Sequence, residues 1–173
     1  MQDRMEQNRA YLEKWLEQTL ATYPSETLAF LRREKDRFHN PVGHTLREGL
    51  GTLLDELLGE MNLARLAPAL ESIVRLRAVQ DFTPGQAVGF VYLLREILGE
   101  ERAGGVLAAS PVSGSGQKAG TIPSSLERVR KRIDELALLA FDHYMKCREE
   151  IWEIKAREAQ RKVYVWGRMS ERT

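Results

Sequence analysis

Residues 122–173 read IPSSLERVRKRIDELALLAFDHYMKCREEIWEIKAREAQRKVYVWGRMSERT, and the folding of this stretch decides the architecture of the chain. After Pro123 it holds no proline, and no glycine before Gly167. Ser124 stands three residues ahead of Glu127, the spacing of a capping box, in which hydroxyl and carboxylate satisfy each other's free backbone amides. Leu126, Val129, Ile133, Leu136 and Ala140 then step by three and four, and Ala137, Ala140, Tyr144, Cys147, Ile151 and Ile154 continue the seam of a packed helix. Glu127–Lys131, Glu153–Arg157 and Glu158–Lys162 place an acid one turn before a base on the outer side. The pattern predicts one helix of roughly forty residues, about 60 Å long at 1.5 Å per residue. Such a helix outruns the core of a 173-residue chain, so its far end is expected to project or to pair with another chain.

Upstream of it the same rhythm recurs in shorter pieces. Met5, Leu12, Trp15, Leu16 and Leu20 mark a first helix, which ends before Pro24 because a residue preceding proline is pushed out of the helical region. A second, short helix runs from about Ser25 to Asp36. Asn40 and Pro41 then supply an N-cap and a first helical residue for a third helix, which carries Leu46, Leu50, Leu53, Leu54 and Leu57 and ends near Gly59. Its Gly43, Gly49 and Gly51 weaken it as a helix, and close approach of a neighbouring helix is the expected reason. A fourth helix spans roughly Leu63 to Gln80, with Pro68 in its first turn or at a kink. Thr83, Pro84 and Gln86 form a second capping box for a fifth helix through Phe90, Val91, Leu94, Ile97 and Leu98.

No segment alternates with the period of a half-buried strand, so the fold is expected to be all-α with six helices. Residues 103–122 are rich in Gly, Ala and Ser and nearly uncharged, which predicts a flexible loop between a five-helix part, residues 1–102, and the long helix, residues 123–173, of one domain.

Lys and Arg number 26 against 25 Asp and Glu, so no strong net field draws the chain to nucleic acid or to an anionic membrane. No apolar run is long enough to span a membrane, and the N-terminus lacks the apolar core of a signal peptide. A single cysteine, Cys147, fits a reducing compartment, and a cytoplasmic location is expected.

Catalytic signatures are missing: there is no glycine-rich phosphate loop, GxSxG, HExxH or CxxC. A non-enzymatic role without a cofactor is therefore expected. The histidines His39, His44 and His143 show no metal-ligand spacing, and Cys147, although one turn from His143, sits on an apolar seam and reads as a small buried thiol. The adjacent acids Asp55–Glu56, Glu100–Glu101 and Glu149–Glu150 read as solvated faces, as does the basic run Arg128–Arg132. The polar cluster that stands out is Arg75, Arg77, Gln80 and Asp81. Arg77 lies in line with the apolar face of the fourth helix, where a charge must find a partner, and Asp81 or Asp36 is the expected one. The cluster is read as a structural clamp or as the lining of a small-ligand pocket.

Two runs, Asp36-Arg37-Phe38-His39-Asn40-Pro41-Val42-Gly43 and Ile73-Val74-Arg75-Leu76-Arg77-Ala78-Val79-Gln80-Asp81-Phe82-Thr83-Pro84-Gly85-Gln86-Ala87-Val88, together with Cys147-Arg148-Glu149-Glu150-Ile151, resemble the RsbRD-type N-terminal sensor domain. The resemblance covers about Arg9 to Arg161. That domain is named for co-antagonists of the switch kinase RsbT in the bacterial stressosome. The resemblance implies a globin-like bundle that binds no haem, dimerises and signals through protein contacts in stress-response regulation. In the full regulators the long helix leads into a phosphorylated STAS domain; here the sequence stops at Thr173, so a stand-alone module acting on a separate regulatory protein is expected. Ile151, Trp152, Ile154, Val163, Tyr164 and Trp166 are the expected homodimer or docking surface. The alternative is a globin-like protein that binds haem or another small ligand, with His143 or His44 as the iron ligand.

Overall fold

In the computed structural model, the described residues are 2–34, 36–80, 82–107 and 124–170, with side chains described over 5–34, 36–80, 82–99 and 127–163. They form six helices in chain order: α1 Gln2–Leu20, α2 Ser25–Arg33, α3 Pro41–Leu58, α4 Leu63–Val79, α5 Pro84–Leu107 and α6 Ser124–Ser170. There is no strand among the described residues, so the fold is all-α, and the arrangement is compatible with a globin-like bundle. No helix among them is long and apolar enough to cross a membrane.

Side-chain capping explains most of the helix boundaries. Asn40 is buried and uses its whole amide: Oδ1 accepts from the Gly43 backbone amide at 2.7 Å, while Nδ2 donates to the carbonyls of Leu31 at 3.1 Å and Glu34 at 2.7 Å. One residue thereby starts α3 and closes α2. A Cβ at position 43 would come to 2.5 Å from Asn40 Nδ2, so any side chain there would push the Asn40 amide off its partners. The expected capping box at α5 is present, with the Thr83 amide donating to Gln86 Oε1 at 3.0 Å and the Gln86 amide to Thr83 Oγ1 at 3.4 Å.

Two boundaries differ from the sequence reading. Helix α2 stops at Arg33 rather than near Asp36, because Glu34 is extended and the Asp36 carboxylate accepts from the Phe38 and His39 amides, closing a turn in place of another helical turn. Helix α5 continues to Leu107, five residues into the stretch read as a loop, despite Gly104 and Gly105. The rest of that stretch, and the Ser124 side chain of the expected capping box, lie outside the described residues.

The core is one cluster. Trp15, Leu16 and Leu20 of α1, Leu46, Leu50, Leu53 and Leu57 of α3, Leu66, Leu70 and Ile73 of α4, Phe90, Val91 and Leu94 of α5, and Ile133, Leu136 and Ala140 of α6 are all buried in it. Trp15 ties α1 to α5: its indole nitrogen donates to the Phe90 carbonyl at 2.6 Å and its ring stacks on Phe90 at 6.2 Å between centroids. Helices α3 and α4 touch at Gly49, where a Cβ would stand 2.8 Å from Ile73 Cδ1, so the close approach expected at that glycine is met. Gly51 faces only Leu12, at an ordinary 3.6 Å.

Between α3 and α4 the backbone passes through Met61 at φ 60°, with the Met61 amide bonded back to the Glu56 carbonyl. Glu56 is buried, which corrects its reading as part of a solvated acidic pair. Its carboxylate accepts from the Asn62 amide at 2.9 Å and pairs with Arg65 at 3.0 Å, placing a negative charge at the amino end of α4.

Helix α6 is 47 residues long, about 70 Å by rise per residue, and its inner half is held to the bundle at three points. Arg132 donates to the carbonyls of Leu57 at 2.8 Å and Gly59 at 2.7 Å, capping the carboxyl end of α3. The Tyr144 hydroxyl donates to the Phe82 carbonyl, and Arg148 donates to the Ala78 carbonyl at 3.3 Å, at the end of α4.

Candidate ligand cleft and partner surface

Arg77 is fully buried. The apolar stepping of Leu66, Leu70, Ile73 and Val74 turns its position on α4 toward the core, and three aromatic rings meet it there. The guanidinium carbon lies 4.3 Å from the centroid of Phe82, 5.4 Å from that of Tyr23 and 5.8 Å from that of Phe90. Tyr23 and Phe82 themselves pack edge to face at 5.2 Å. Nη2 donates to Thr22 Oγ1 at 2.8 Å and to the Gln86 carbonyl at 3.1 Å. Nε and Nη1 have no hydrogen-bond acceptor.

Desolvation of an arginine runs to several kcal/mol, whereas a desolvated cation–π contact returns about 2 kcal/mol. Three rings and two oxygens together return an amount of the same order, but they leave Nε and Nη1 without a hydrogen bond. Burial lowers the Arg77 pKa, with the nearby Tyr23 opposing that shift, and burial raises the Tyr23 phenol, with Arg77 opposing in turn. An arginine remains charged at neutral pH in such a setting.

The partner expected from sequence is not Asp36. That carboxylate is exposed on the α2–α3 turn and bonds Phe38, His39 and the His39 ring, contacts that lower its pKa. Asp81 lies outside the described residues. Arg75, one residue-step round the helix from the core, is exposed and pairs with Glu71 at 3.1 Å and, more loosely, with Glu150 of α6 at 3.8 Å. Of the expected cluster, Arg77 and Gln80 thus share one place, and Arg75 and Asp36 stand elsewhere. Thr22, Tyr23, Phe82, Gln86 and Phe90 complete the Arg77 surroundings. Sequence reasoning missed them because they come from the α1–α2 turn and the start of α5; only the aromatic content near the two prolines hinted at them.

Over this cage opens a cleft of about 530 Å³, lined by Thr22, Tyr23, Pro24, Thr27, Gln80, Phe82 and Gln86. Four of those seven residues are direct neighbours of Arg77. A larger cleft, about 580 Å³ between α1, α2 and α3, is crossed by ion pairs of Arg32 with Glu17 and Arg47 with Glu13. His44 lines that second cleft and its Nε2 lies 3.1 Å from Glu48. His143 is half-buried on α6 and lines neither cleft. Of the two histidines considered as alternative iron ligands, His44 thus lines a cleft and His143 lines neither; no group of three or more metal-ligating side chains occurs among the described residues.

Cys147 is buried, and its burial, the largest influence, raises the thiol pKa, with Arg75 opposing. A raised thiol is the opposite of an activated nucleophile.

The surface of α6 divides differently from the sequence reading. Ile151 packs against the core, whereas Trp152, Ile154 and Val163 are exposed by 64%, 55% and 73%. Tyr164 and Trp166 continue the helix, with side chains outside the described residues. Exposed apolar residues also begin earlier than expected, at Leu138, Phe141 and Met145. With Trp152 they step by three, four and seven, a second apolar stripe beside the buried seam. The spacing was present in the sequence, but it overlaps the apolar residues of the seam.

No curated protein and no solved structure matches the chain. The family model for the RsbT co-antagonist protein rsbRD N-terminal domain matches residues 9–159, and the chain belongs to that family.

Proposed function

We propose that the chain is a non-enzymatic sensory or regulatory module whose output is a protein–protein contact made through α6, first with a second copy of itself and then with a separate regulatory protein. Family membership supports an RsbR-like N-terminal sensor domain. The observation that carries the rest is the exposed stripe Leu138, Phe141, Met145 and Trp152 on a helix already anchored through the seam beside it. Repeats of three and four on a long helix are the spacing at which two helices interdigitate, and a helix stripe of this kind is self-complementary about a two-fold axis. Large apolar side chains repeated at this spacing on the exposed side of one helix are a common mark of a protein–protein contact.

A dimer built on α6 suits a sensor, since a shift at the end of α4 or in the turn before α5 reaches the stripe through Arg148 and Tyr144. The test is sedimentation velocity on the full chain at micromolar concentration. The expected result is a dimer that Met145→Glu and Trp152→Glu convert to a folded monomer with unchanged helix content. A clean wild-type monomer would sink the proposal, and so would a dimer indifferent to both substitutions.

A further inference from the structure

We propose that the cleft between the α1–α2 turn and the α4–α5 turn binds a small organic carboxylate, with Arg77 as its counter-charge. The Arg77 guanidinium lies fully buried behind the wall of this cleft, and no carboxylate pairs with it among the described residues. Two of its three nitrogens, Nε and Nη1, meet no acceptor at hydrogen-bond geometry, with the neutral Tyr23 hydroxyl, itself unpaired, as their polar neighbour. A buried cation left so is a liability for folding alone, since an apolar residue of similar volume would serve the core better. It is a sound arrangement if an anion arrives from outside.

The cleft lining indicates which anion. Tyr23, Pro24 and Phe82 supply apolar walls, while Thr22, Thr27, Gln80 and Gln86 supply hydroxyls and amides. Among the described lining residues none is an acid. A volume of about 530 Å³ is within the range of small-molecule sites. One delocalised cation in an aromatic frame matches one carboxylate on an apolar body better than a doubly charged phosphate.

Access is through Thr22. Its hydroxyl donates to the Thr19 carbonyl at 2.7 Å while accepting from Arg77 Nη2. A carboxylate that displaces this hydroxyl takes Nη2 and, with Nη1, completes a two-point contact. Tyr144 holds the Phe82 carbonyl from α6, so occupation of the cleft bears directly on the helix that carries the output.

Sodium benzoate is a suitable probe, with benzamide as its neutral isostere and sodium chloride to hold ionic strength constant. In ¹⁵N-labelled full chain, the Nε–Hε resonance of Arg77 is identified by its loss in Arg77→Lys. Benzoate is expected to shift this resonance saturably, and benzamide is not. Gln80→Glu places a like charge on the rim at an exposed position that leaves the fold intact, and is expected to weaken benzoate binding about tenfold. It keeps the question open to measurement if Arg77 variants fail to fold, the Arg77 resonance then being assigned by through-bond correlation. Equal responses to benzoate and benzamide would overturn the proposal, as would no response to millimolar benzoate or an unchanged affinity in Gln80→Glu. The readout is at Arg77 and does not depend on association through α6, so this site and the dimer stand or fall separately.

Discussion

The two halves of α6 are one uninterrupted helix under two different regimes. From Ile133 to Cys147, every third or fourth residue is buried, and Arg132, Tyr144 and Arg148 bond backbone carbonyls of three other chain segments. From Trp152 to Val163, every residue is exposed. The inner half is held by tertiary packing, which supplies most helical stability in proteins. Over its described side chains, to Val163, the outer half shows backbone hydrogen bonds and pairs such as Glu153 with Arg157 at 3.1 Å. Continuity with a fixed segment spares it the nucleation step that makes isolated helices marginal. The difference teaches that the inner half defines the fold, while the outer half is free to define a partner.

The sharpest way to break this contrast is to remove core from the inner half. Leu136 is fully buried in the shared core cluster, and Leu136→Ala is expected to destabilise by about 2–5 kcal/mol in urea unfolding. A smaller loss comes from Arg132→Met, which keeps much of the aliphatic stem and leaves the Leu57 and Gly59 carbonyls without this donor. The expected effect is about 1 kcal/mol by the same measurement, the net value of an ordinary hydrogen bond, since the bond to Leu57 is part-buried and that to Gly59 exposed. An effect near zero would mean that water replaces Arg132, and that α6 is held by apolar contact alone.

How much of this was legible in the sequence follows the reach of each interaction. The seam of α6, the Asn40 cap and the Thr83–Gln86 box are local, spanning one or two turns, and residue spacing alone identifies them. Arg77 was recognisable as an inward charge, since it shares a face with Ile73 and Val74. Its surroundings were not, because Thr22 is 55 residues away in the chain and Asp36, one of the two carboxylates sought by proximity, bonds its own turn instead. Arg132 shows the same limit: in a basic run it reads as solvated, and only the fold brings it to the end of α3. Glu56 was misread for the same reason, since an acid is called solvated until a helix start is placed against it. Leu138, Phe141 and Met145 were hidden differently. Two apolar stripes on one helix blur into a broad apolar surface, and only burial separates the one that packs from the one that faces outward.

The smallest expected effect tests the outer half. Trp152 is 64% exposed although it follows Ile151, which still touches the core. Tryptophan is the largest apolar side chain available, and truncating a buried one costs about 3–5 kcal/mol. Here Trp152→Ala is expected to change the unfolding free energy by no more than about 0.5 kcal/mol, measured at concentrations low enough to keep the chain monomeric. The dilution matters, because a dimer that binds only the folded state adds apparent stability that depends on concentration. A loss at low concentration would place Trp152 inside the folding unit and move the boundary between the halves outward by at least a turn. A loss that appears only as concentration rises would assign Trp152 to the contact between copies, where a large exposed ring on a rigid helix has its physical use.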